Sequence, residues 1–172
     1  QQTLSEEVTG ADAVVIATLA KPMAEPSLDD AGGPGDPQLS TATFQIEEVL
    51  SGADEIGDAK EVNVVYFGDD APGQRFLITA IKDNELVWVT PLPLSGRAVE
   101  YVKQLSALPP AGAERLAFFQ KHFEDQDRLL AQDAYDEFSR APYKDIAEFA
   151  PQVDREQILS LMLGQWQQHP FI

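Results

Sequence analysis

Leu86-Val87-Trp88-Val89-Thr90-Pro91-Leu92-Pro93 is the stretch at which the pattern of the chain changes. Before it, apolar residues come in short β-branched and aromatic runs separated by glycine, proline and acidic turn residues, as strands do. After it, Val99, Val102, Leu105 and Leu108 recur at helical spacing. Two prolines in three residues end a strand and cannot sit inside a helix. The chain therefore reads as α+β, with a β-rich part over residues 1–93 and a helical region over residues 94–172. Each half alone is marginal in size, so the two are expected to pack on each other.

Upstream of this stretch, residues 74–81 read as a fourth strand and 61–67 as a third, with Val62, Val64 and Tyr66 on one side. Thr41 to Leu50 alternates, Phe44 and Ile46 share a face, and a bulge or strand end is expected near Glu47-Glu48. Glu47 and Glu48 themselves read as solvated strand acids. Ala11 to Ala20, with its β-branched centre Val14-Val15-Ile16 bounded by Gly10 and Pro22, fits a largely buried strand. Residues 21–40 hold four prolines, three glycines and four acids, and read as a long loop. Leu4 to Gly10 reads as a short helical turn. Five strands without regular crossover helices point to an antiparallel barrel or sandwich, not to a parallel nucleotide-binding sheet. Tyr66, Phe67, Phe76 and Trp88 are expected to pack in its core.

Downstream, Pro109-Pro110 stops the first helix. Helices over 114–123 and 127–139 follow, the second preceded or capped by Asp125 and Asp127. A short one over 143–149 comes after Pro142. Asp154 opens the last helix, with Gln157 completing a capping box. The aromatic series from Phe118 to Phe149 is read as the seam between helices, with a minority left for an exposed patch.

Charge narrows the partners. The net charge is −17, from 29 acids and 12 bases, and residues 1–93 carry 17 acids against 4 bases. Such a surface repels phosphate backbones and anionic lipid heads, so no nucleic-acid partner is expected. No run approaches the roughly 18 apolar residues of a span, so no direct membrane insertion is expected either. A basic protein surface or a divalent cation is the easier partner. The chain has no cysteine, which removes disulfides, thiolate metal sites and thiol nucleophiles. Gln1-Gln2-Thr3 lacks an initiator Met, and Gln167 to Ile172 shows no clear helix cap. Two readings stay open, a chain processed after an export signal and a truncated one, and whether a parent protein continues beyond residue 172 stays open with them.

Three segments carry a resemblance: Ala11-Asp12-Ala13-Val14-Val15-Ile16-Ala17-Thr18, Phe44-Gln45-Ile46-Glu47-Glu48-Val49-Leu50-Ser51-Gly52, and Pro72-Gly73-Gln74-Arg75-Phe76-Leu77-Ile78. They resemble exported bacterial proteins of undefined function whose N-terminal half is similar to the OB-like barrel of netrin and tissue metalloproteinase-inhibitor domains. The helical segments Glu114 to Phe119 and Asp133 to Tyr143 resemble the region that follows in those proteins, and look like a HEAT-type repeat. The resemblance implies a five-stranded antiparallel OB-like barrel, a helical region and a secreted, periplasmic or cell-envelope location. The inhibitor family works through an N-terminal cysteine that chelates the protease metal. Gln1 stands there in this chain, so no functional residue carries over.

Catalytic constellations are weak. His122 and His169 are far apart in sequence and lack His-Glu-x-x-His spacing, so His122 is read as structural. Asp29-Asp30 with Asp36, and Asp69-Asp70, are candidate cation carboxylates, but they lack the regular ligand spacing of a calcium loop. No Gly-x-Ser-x-Gly elbow and no phosphate-binding glycine loop occurs. No catalytic, cofactor-binding or metal residue is assigned, and no cofactor is expected. The reading is a non-enzymatic protein-interaction module, with Trp166 and Phe171 as candidate contacts. Two alternatives stay open: a small carboxylate-based hydrolase or ligand-binding protein, and a structural spacer of a larger envelope protein.

Overall fold

The structure, a computed structural model, describes residues 2–23, 41–152 and 156. The chain divides into two compact units, Gln2–Ser106 and Ala107–Ile172. The first contains α1 (Leu4–Gly10), β1 (Ala13–Lys21), β2 (Ala42–Ser51), α2 (Ala53–Ile56), β3 (Glu61–Val64), β4 (Arg75–Lys82), β5 (Leu86–Trp88), β6 (Leu92–Leu94) and α3 (Gly96–Leu105). The second contains α4 (Ala113–Gln120), α5 (Arg128–Ser139), α6 (Tyr143–Phe149) and a 3-10 turn over Ala150–Gln152. The class is α+β, as the sequence indicates.

All strand pairs are antiparallel, and the sheet runs β3-β2-β1-β4-β5 as a nearly closed barrel. This path matches an OB-like barrel left open between its third and fifth strands. β6 adds to the start of β4 beside β5. Pro91 and Pro93 do not end the sheet, as their lack of N–H groups led us to expect. Pro93 lies in β6 opposite Phe76, on a peripheral strand where a missing donor is tolerated.

β1 explains its own composition. Ala13, Val15, Ala17 and Leu19 point into the barrel, where they meet Phe44, Val62, Val64, Phe76, Ile78 and Ala80. Val14 and Ile16 point the other way and are equally buried. On that outer face β4 contributes Leu77 and Thr79, also buried. The amphipathic helix α3 packs against β4, β6 and α1, and buries Ala98, Val99, Tyr101, Val102 and Leu105. Ser95 starts it by accepting from the Ala98 N–H at 3.1 Å. α1 begins in a capping box: Thr3 Oγ1 accepts from the Glu6 N–H, and Glu6 Oε2 from the Thr3 N–H. Glu7 of α1 lies beside Thr79, and burial raises its carboxyl above the ordinary range despite that hydroxyl.

The expected bulge is present. Ile16 faces Glu48 while Ala17 faces Ile46, so Glu47 is the extra residue. The kink bends the sheet toward closure and re-aims side chains. Glu47 takes the Thr18 hydroxyl and, at 3.0 Å, the Arg75 guanidinium. Glu48 takes Lys103 of α3 at 2.6 Å. These two acids, read as solvated, each hold a base and tie β2 to β4 and α3.

In the helical unit α4 packs on both α5 and α6. Phe119, Leu130, Ala134 and Phe149 are fully buried. Edge-to-face contacts run from Phe123 to Phe138 at 5.1 Å and from Phe138 to Phe149 at 6.0 Å. Arg115 pairs with Glu137 at 2.6 Å, with side chains only 15% and 11% exposed, and lies over the Phe119 ring. Asp145 of α6 accepts from the Gly112 N–H just before α4. Asp127 caps α5 through the Leu129 N–H. The helix expected from Asp154 lies, apart from Glu156, outside the described residues.

Two stability outcomes follow from this packing. Gly52 has φ +75°, and a Cβ there would meet the Asp12 carbonyl oxygen at 2.2 Å and Ala13 Cα at 2.6 Å. Gly52→Ala should cost about 3 kcal/mol in denaturant unfolding, whereas Gly10→Ala, with open space around it, should cost nothing or stabilise by about 0.5 kcal/mol. Arg115→Met takes the guanidinium from a mostly buried Glu137 and should destabilise the helical unit by about 3 kcal/mol, read by hydrogen exchange of α4 and α5. A Gly52→Ala protein as stable as wild type, or unchanged exchange in Arg115→Met, would contradict these accounts.

Candidate functional site

The open side of the barrel lies between β3 and β5. Tyr66, just past β3, and Leu86 and Trp88 on β5 are half-buried and pack onto the barrel core. Tyr66 meets Phe44 and Phe76 edge-to-face, at 5.9 and 5.1 Å. Its hydroxyl donates a short hydrogen bond to Asp70. The turn between them folds tightly enough that a Cβ on Gly68 would strike the Tyr66 hydroxyl at 2.2 Å. Burial first, then the Asp70 hydrogen bond and the charges of Asp70 and Asp69, push Tyr66 up to about 12. Asp70 is thus engaged in holding the turn.

Phe67 does not enter the core. It is 77% exposed, because β3 ends at Val64 and the chain leaves the sheet as a turn. A second exposed apolar group sits on β4 and β5. Ala80 and Trp88 point inward, so Ile81, Val87 and Val89 point out; Ile81 and Val87 are direct cross-strand partners, and Val87 is 58% exposed. Asp83 and Glu85, both exposed, form the adjoining turn, and Lys82 is held by Glu55 of α2 at 2.7 Å. The outer face of β2 and β3 carries Thr43, Gln45, Glu47, Glu61 and Asn63, and neither strand contains a basic residue.

His122 pairs with Asp125 at 3.1 Å and lies 4.9 Å from the Phe118 ring, and Asp125 in turn accepts from the Asp127 N–H. Its role is to close the turn between α4 and α5. Among the described residues no three His, Cys, Asp or Glu side chains group as a metal site. No helix among them is long and apolar enough to cross a membrane. Of the helical aromatics, Phe118, Phe119, Phe123 and Phe149 are buried, while Tyr143 at the start of α6 is 85% exposed. Trp166, Phe171, His169, Asp29, Asp30 and Asp36 lie outside the described residues.

The Ile81–Val87–Val89 group was not singled out from sequence. Its signal was present: Leu86-Val87-Trp88-Val89 is apolar at four consecutive positions, whereas a strand with one wet face needs apolar residues only at alternate ones.

The state of Tyr66 gives a direct test of the turn. A phenol whose folded pKa lies above its unfolded value of 10 resists ionisation in the fold, so stability falls as pH rises above 10 toward 12. Asp70→Asn keeps an acceptor but removes the charge. It should lose less stability than wild type between about pH 9 and 11 in denaturant titrations, with part of the loss remaining because burial is unchanged. Identical losses in the two proteins would rule out the Asp70 contact.

No protein-family model matches the chain, and the search of curated proteins gives no match.

Proposed function

We propose that the protein is an exported, non-enzymatic interaction module that binds another protein. The observation that carries this reading is the exposed apolar group Ile81, Val87 and Val89 on the outer face of β4 and β5. Exposed apolar side chains that adjoin one another on a sheet are costly to leave wet, and are a common ground of protein contact. The acidic balance of the barrel half, and a β2–β3 pair that contains no basic residue and whose Glu47 and Glu48 already engage the nearby Arg75 and Lys103, speak against nucleic acid, which OB barrels bind on that face with basic support. Export, the netrin-like character of the barrel and the HEAT-like character of the helices rest on the sequence resemblance. Trp166 and Phe171 are a second proposed contact.

The test is capture from a bacterial envelope extract with the immobilised full chain, beside Val87→Asp and Trp166→Ala. One protein recovered reproducibly by wild type should be reduced at least about tenfold by Val87→Asp, since a carboxylate would be desolvated in the contact. The thermal midpoint should not move. Recovery of nothing, or recovery indifferent to both substitutions, sinks the reading.

A further inference from the structure

β5 has an unoccupied edge among the described residues. The Val89 N–H donates to the Thr79 carbonyl at 2.8 Å, and the Asp83 N–H to the Glu85 carbonyl at 3.1 Å. With the register Ile81 to Val87, these bonds fix the hydrogen-bonded pairs of the β4–β5 ladder. The intervening residues, Leu86 and Trp88, therefore turn their N–H and C=O groups away from β4. No described residue takes them. Two donor–acceptor sets two residues apart form the start of a template for a further strand.

The side chains around this edge say what would add there. Ile81, Val87 and Val89 present apolar surface on the outward face, so an added strand is favoured with apolar side chains at alternate positions. Asp83 and Glu85 stand exposed at the turn, and the barrel half is strongly acidic. A second copy of this chain would bring acid against acid. Lysine or arginine beside the turn is attracted instead.

We propose that the β5 edge is a strand-addition site for an extended segment of a partner protein with alternating apolar residues and flanking lysine or arginine. This rests on the interaction-module reading and specifies its partner. Main-chain bonds to Leu86 and Trp88 supply the grip, and Val87 with its neighbours selects the side chains.

The probe is a synthetic eight-residue peptide alternating valine with lysine, added to the isotope-labelled full chain. Amide exchange at Leu86 and Trp88 should slow at least tenfold at saturation. The same peptide methylated on alternate backbone nitrogens should not do this. Val87→Lys, with an unchanged thermal midpoint because the side chain is exposed, should weaken binding at least tenfold, and added salt should weaken it further. Absence of binding at about 1 mM peptide, or binding that leaves both amides exchanging as before, overturns the proposal. An envelope protein captured through Val87 that leaves those amides unprotected overturns strand addition while the module reading stands. Failed capture with both amides protected by the peptide counts against the module reading and supports the edge.

Discussion

β1 is the strand on which the barrel unit depends. It has a paired neighbour on each side and apolar burial on each face. A strand so placed can carry no unpaired polar side chain without a desolvation cost, which is why its sequence is apolar at both parities. It also fixes the register of its neighbours, because a slip by one residue would exchange the barrel-facing set for the helix-facing set. Val14 and Ile16 demand a cover, and β4, extending that outer face with Leu77 and Thr79, brings α3 and α1 onto it.

The acidity of the chain has a structural share. Glu47, Glu48 and Glu55 each hold a base that belongs to another element, and Asp70 and Asp145 close turns. Exposed ion pairs contribute little each, so their effect is to orient more than to stabilise. Arg115 with Glu137 differs, since both are largely withdrawn from water and the guanidinium also lies on a ring. Acids left over at the β4–β5 turn and in the Phe67–Asp70 turn face solvent, and they give the barrel unit its electrostatic character.

Much of this was legible in the chain. The helices α1 and α6 span the segments read from the sequence, Leu4–Gly10 and the stretch after Pro142, Tyr143–Phe149, and the bulge falls at the Glu47-Glu48 pair that breaks the alternation of β2. What escaped depends on tertiary partners. β6 could not be read, because three residues flanked by prolines form a strand only when β4 supplies the ladder. Phe67 was placed in the core because an aromatic next to Tyr66 looks like strand continuation; β3 ends at Val64, opposite Ala42 at the start of β2, and Phe67 lies beyond it. The exposed side of β4–β5 escaped for a related reason. Composition shows that Val87 and Val89 are apolar, but not that they stand exposed with no described helix over them. The contacts proposed at Trp166 and Phe171 came from residues near the end of the chain.

The long reach of β1 bears on the order in which the molecule takes shape. β1 pairs Ala13 with Ala80 and Val15 with Ile78, partners far apart in the chain, so the barrel core cannot close until a large loop has been drawn in. The contacts of α4 with α5 and α6 lie between close neighbours in sequence. Chains rich in local contacts organise faster than those built on distant pairings. By that measure the barrel core carries the greater closure cost, and during synthesis β1 stays unpaired along one edge until β4 has emerged.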